Sequence, residues 1–142
     1  MENTMRKIML AITACGFLFS AQAWSATQCK STLSANIVND DLNVPAGAKC
    51  SLNGTMVNGD IQLNPQSQLI VNNANVQGEI NSKQAASVHI INSQVNGDVE
   101  LKGQTPSFKI VNSQIQGDVS CSKETKLSTS GSVINGEVSC RR

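Results

Sequence analysis

Tyrosine is absent from this sequence, tryptophan occurs once and phenylalanine three times. A globular core built by 142 residues normally uses more large side chains, so a thin core of Val, Ile and Leu is expected. The same scarcity leaves no aromatic platform on which a sugar could stack. Histidine occurs once and there is no Cys-x-x-Cys, which argues against a zinc site. Charge is sparse and balanced. The formal net charge is +1, and without residues 1–26 the chain holds nine basic and nine acidic residues. No basic stripe points to nucleic acid and no acidic run forms a tail. Beyond the N-terminal stretch, no segment is apolar enough to span a membrane.

That N-terminal stretch has the layout of an export signal. Arg6 and Lys7 precede an apolar run from Ile8 to Phe19, and the small residues of Ser20-Ala21-Gln22-Ala23-Trp24-Ser25-Ala26 follow. A basic region, a short apolar region and an Ala-x-Ala-like site describe a secretory signal peptide over residues 1–26, cleaved between 23 and 26. The run is too short for an ordinary transmembrane helix. Ile12-Thr13-Ala14-Cys15 loosely resembles a lipobox, so a lipoprotein anchored at Cys15 is the alternative. Against it, apolar sequence continues past Cys15, as though that cysteine lay inside the apolar region. The expected location is therefore periplasmic or extracellular.

What the chain has in abundance is repetition. Val95-Asn96-Gly97-Asp98-Val99 recurs around Gly59, Gly78, Gly117 and Gly136, and a weaker copy has Asp40 in the glycine position. Successive spacings are 19, 19, 19, 20 and 19 residues. A fixed short period signals stacked coils. Two residues before the glycine stand Val38, Val57, Val76, Val95, Ile115 and Ile134; two after it stand Leu42, Ile61, Ile80, Val99, Val119 and Val138. Later in each repeat come further apolar pairs two apart, such as Leu69/Val71, Val88/Ile90 and Phe108/Ile110. Apolar residues two apart mean strands with one buried face. A helix would need spacings of three and four, and would meet a Gly, Asn or Pro every few residues.

Each coil is thus expected to contain three short strands and three corners. The first corner is the glycine, which supplies a positive φ or lets backbones approach closely; Asp40 in that slot suggests a distorted start. The second is a variable, turn-rich stretch, and the residue added by the one long spacing belongs in the Lys102–Ser107 copy of it. The third is Gly54, Asn73, Asn92, Asn112 and Gly131, residue types that tolerate a left-handed backbone. The expected fold is all-β: a single-stranded parallel β-helix over residues 27–142, with five to six coils of 19–20 residues. Parallel crossovers favour a right-handed wind. A coil near 19 residues, close to three hexapeptides, leaves a left-handed one open.

Without Cys15 four cysteines remain, and four in an exported chain suggest disulfides in one of three connectivities. The repeat selects among them. Cys121 and Cys140 each lie four residues after their glycine, at one position of adjacent coils, and strands about 4.8 Å apart are within bridging distance. Cys29 and Cys50 are also about one coil apart. The expected bridges are Cys29–Cys50 and Cys121–Cys140.

The Val-x-Gly-Asp-Ile pattern over residues 38–138 resembles that of the bactofilins, bacterial proteins built as a small right-handed β-helix that polymerise end to end. The resemblance implies the fold more strongly than the cytoskeletal role, because bactofilins typically act in the cytosol without a cleaved signal or paired cysteines. Fold alone does not fix function.

Few residues stand out as chemistry. Asp41, Asp60, Glu79, Asp98, Asp118 and Glu137 form an acidic column directly after the glycine. They could form a cation ladder, but carboxylates accepting backbone N–H groups at a turn is the expectation. The Gly-Gly-x-Gly-x-Asp calcium repeat is absent. Asn39, Asn58, Gln77, Asn96, Gln116 and Asn135 form an amide column, expected to be a ladder bonded coil to coil. His89 alternates with Val88 and Ile90 and should face solvent. Lys49, Lys83, Lys102, Lys123 and Lys126 gather around the second corner as a solvated edge. No nucleophile and base are placed together, the corners are too tight for a cleft, and no cofactor motif is present, so no enzyme is expected. Ranks of Thr-x-Thr that would suit an ice-binding face are missing. The leading expectation is an exported scaffold that self-associates through its coil ends. The alternative is a monomeric module binding an envelope glycan or protein.

Overall fold

The structure is a computed structural model and describes residues 26–140. The expected leader therefore lies outside the described residues apart from Ala26, and so do Cys15 and the terminal Arg141-Arg142 pair. Among the described residues the regular structure is entirely strand, in nineteen short pieces, and no helix is long and apolar enough to cross a membrane.

The strands build an all-β parallel solenoid of about six turns with three faces. Sheet A has seven strands running from Thr27–Gln28 through Leu42–Val44 to Val138–Cys140. Sheet B has six, from Thr32–Ser34 to Leu127–Ser130, and sheet C has six, from Ile37–Val38 to Val133–Ile134. Every pairing is parallel and joins equivalent positions of successive coils, as in Ile61↔Ile80↔Val99. The chain pairs this way because its apolar residues alternate with period two on each strand. Sliding a strand by one residue would turn its buried set to water.

Through the middle coils the inward columns are closed completely. Val57, Val76, Val95, Ile61, Ile80 and Val99 have no exposed surface. Each such side chain contributes about 1.5–3 kcal/mol by leaving water. Phe108, the largest of the fully buried side chains, occupies the sheet B position held by Val88 one coil earlier.

The corners divide the work of turning. At the third, Asn73, Asn92 and Asn112 have φ of 48°, 46° and 47°, and Gly54 and Gly131 have 62° and 60°. This is the left-handed region that Gly and Asn enter most readily. The first coil places Ala35 there at φ 51°. The repeat glycines are different. None has a positive φ; they are glycine because of what lies beneath. A Cβ on Gly97 would sit 2.6 Å from the carbonyl carbon of Gly78 in the preceding coil, nearer than real atoms approach.

That geometry corrects one expectation. Asp40 does not distort the start, since Ile37↔Met56 and Leu42↔Ile61 pair in the normal register on either side of it. The residue in register beneath Asp40 lies outside the described residues, while Thr27 lies beneath Leu42. The irregularity falls earlier, where Thr27 and Leu42 are only fifteen residues apart. The residue added by the long spacing falls where expected. Ile80↔Val99 is offset by nineteen and Ser87↔Ser107 by twenty, so the second corner of that coil absorbs it.

Candidate functional site

The cysteines staple the two ends of the solenoid. Cys29 is bonded to Cys50 with Cα atoms 5.4 Å apart, and Cys121 to Cys140 at 4.5 Å. The first bridge is buried in the core and the second is only half-buried. Each closes a loop of about one coil, a constraint on the unfolded chain of about 3 kcal/mol. The two disulfides suggest an oxidising, extracytoplasmic location.

The acidic column is wired to the backbone. Asp41 Oδ1 accepts the N–H of Asp60 at 2.9 Å, and Asp60 Oδ1 accepts that of Glu79 at 2.8 Å. Asp98 and Asp118 repeat the bond to Asp118 and Glu137 at 2.8 and 2.7 Å. Each aspartate thus holds the coil above it by the peptide that follows the glycine. Its oxygen also occupies the space that a Cβ on that glycine would need. Glu79 carries one more methylene and makes no such bond; it accepts instead from Asn81, two residues on in its own coil, at 3.4 Å. Among the described residues no three His, Cys, Asp or Glu are grouped so as to hold a metal ion.

The amide column departs from a continuous ladder. Asn58 donates to Asn39 at 2.9 Å, Asn96 to Gln77 at 2.6 Å and Asn135 to Gln116 at 2.6 Å. Those are three separate pairs. The longer Gln77 turns sideways and donates to Asn75 of its own coil at 3.0 Å, which breaks the run.

His89 is half-buried on the outer face of sheet B, with Nε2 2.8 Å from Ser107 Oγ. Desolvation, and then the nearby Lys109 charge, hold its pKa below the ordinary 6.5. The lysines of the second corner are exposed, and Lys102 meets Glu100 at 3.5 Å in a surface pair worth little.

Sequence reasoning missed three features. Hydroxyls after the third corner form an internal chain: Ser93 Oγ accepts from Ala74 N–H and donates to Ile91 C=O, and Ser113 Oγ repeats this for Ser93 and Val111. Small residues follow the third corner in every coil (Thr55, Ala74, Ser93, Ser113 and Ser132), but only the corner's direction shows that the hydroxyl points inward. Next, Ile37 and Met56 lie side by side on the outside of sheet C, 66% and 40% exposed, where the following coils have Asn75 and Gln94. The break from polar to apolar in that column was readable. Lastly, the C-terminal coil is open. Val138 is an inward residue yet 47% exposed, and Leu127, Ile134 and Cys140 are only partly buried.

Two shallow depressions accompany these features. One, of about 420 Å³, runs along the third corner past Met56, Asn73, Asn75, Asn92 and Gln94. The other, of about 380 Å³, lies beside Ile37 and Asp40. Neither contains a titratable pair that could act as acid and base.

No family model matches this chain, and no curated protein or solved structure does either. The functional reading therefore rests on the geometry.

Proposed function

We propose that this protein is an exported structural scaffold, a short disulfide-stapled rod that self-associates through its coil ends. The observation that carries the reading is the open C-terminal coil, where apolar core positions and three strand edges meet solvent together. An unpaired strand edge is a ready template for another chain. The bridges at the two ends keep the terminal coils wound, so each end presents a fixed surface. The bactofilin-like repeat adds the precedent of a β-helix used as a building block. Catalysis is not part of the proposal: the corners are tight, and His89 has only a serine hydroxyl as partner.

The test is sedimentation velocity of the oxidised protein over a wide concentration range, with electron microscopy of the same samples. Species heavier than the monomer that grow with concentration are expected. A monomer at every concentration overturns the reading. It would favour the second one, a binding module for an envelope glycan or protein, to which the amide-lined depression along the third corner is suited.

A further inference from the structure

The two ends of the rod differ. At the N-terminal end the inward side chains are covered, Cys29, Val38 and Leu42 being 1%, 7% and 0% exposed. At the C-terminal end they are not, as Val138 shows. The outermost strands there, Leu127–Ser130, Val133–Ile134 and Val138–Cys140, pair on one side only. None of the three contains a proline or a charged residue, the usual protection of an edge against further strands.

The first strand makes the choice of partner directional. Thr27–Gln28 already lies beneath Leu42 and Asn43, with the Thr27 N–H donating to the Asp41 carbonyl at 2.8 Å. A second copy stacked head to tail so as to continue sheets B and C would bring its Val138–Cys140 strand into that same place. Two strands cannot share it.

Two C-terminal ends meeting about a two-fold axis avoid this overlap. The axis reverses chain direction, so the outermost strands meet antiparallel, which is the slightly stronger pairing. The last coil carries Lys123, Lys126, Glu124 and Glu137, two charges of each sign, and Arg141 and Arg142 follow it in the sequence.

We propose that this protein pairs with a second copy of itself through the C-terminal coil, antiparallel and two-fold, and that assembly stops at the dimer. This rests on the self-association reading above and specifies its end, symmetry and limit. A two-fold contact uses the same patch on both partners and leaves no free copy of it, so it closes. About twelve coils at about 4.8 Å each would give a rod of about 55–60 Å.

The test combines sedimentation with lysine-reactive cross-linking of a mixture of isotopically light and heavy protein, disulfides intact. Lys30 and Lys49 report the first coils, Lys123 and Lys126 the last. The expected result is a monomer–dimer equilibrium with light–heavy links among Lys123 and Lys126. Val138→Lys should weaken the dimer about tenfold or more by placing a charge in the contact, with β circular dichroism unchanged because that side chain already reaches solvent. The cross-links decide the matter even where that variant fails to fold. A dimer linked through Lys30 and Lys49, or a longer series linking Lys30 or Lys49 to Lys123 or Lys126, overturns this pairing and leaves self-association standing. A monomer throughout overturns both.

Discussion

At the level of single residues, the chain is stabilised by groups that each serve the coil above or below. Asp60 is an example, its carboxylate holding the N–H of Glu79 at 2.8 Å. Asp60→Ala should lower stability by about 1–2 kcal/mol, read as a shift in the urea midpoint. Asp60→Glu should recover little of it, since Glu79 in the same column makes no such bond. Gly97→Ala should cost more, because its methyl would meet backbone atoms of Gly78 that cannot move aside. His89 sets a pH dependence. Its pKa in the fold is lowered from 6.5, so the unfolded chain takes up a proton first as pH falls. Stability contributed by neutral His89 is complete above about pH 7 and declines as pH drops through 6.5 toward the folded value. Wild type should therefore lose more of its urea midpoint than His89→Gln between about pH 7 and about pH 5. Equal losses would mean that the ring is no less solvated folded than unfolded.

At the level of the coil, the period-two pattern is the element that everything else follows. Val95→Asp would bury a charge in a position without solvent contact and should abolish the native β circular dichroism. A folded variant would show that the inward register is wrong. The bridges act on whole coils. Thiol titration of the oxidised protein should find no free thiol among Cys29, Cys50, Cys121 and Cys140. Under mild reductant the pair Cys121 and Cys140 should appear first, being half-buried while Cys29 and Cys50 lie in the core. The coil plan was open to reading because it is carried by columns of identical residue types. What escaped were features set by direction within a corner, such as the Ser93–Ser113 hydroxyl chain, since sequence spacing does not say which way a corner side chain turns. The broken amide ladder escaped for a related reason: Asn and Gln look alike in a pattern, but one methylene turns Gln77 aside.

For the whole molecule, the solenoid is nearly one-dimensional, each coil depending on its neighbours. Loss of structure should begin where a neighbour is missing. In dilute solution, where contacts between copies are dissociated, amide hydrogen exchange should be fastest in Val133–Ile134 and Val138–Cys140. It should be slowest in the middle coils around Ile80–Ser82 and Val99–Leu101. Uniform protection along the rod would indicate a single cooperative unit.

By itself the sequence determined the architecture, the register of the inward columns, the left-handed corner and the cysteine pairing. All four follow from a repeat in which position along the chain maps directly onto position in space. Only the tertiary structure decided why the repeat glycines must be glycine, that Asp40 leaves the register undisturbed, and that one end of the core is open. These depend on the direction in which a Cβ points between coils and on what lies beyond the last one. A one-dimensional pattern shows which residues are stacked; the sense of the stack, and so the difference between its two ends, exists only in three dimensions.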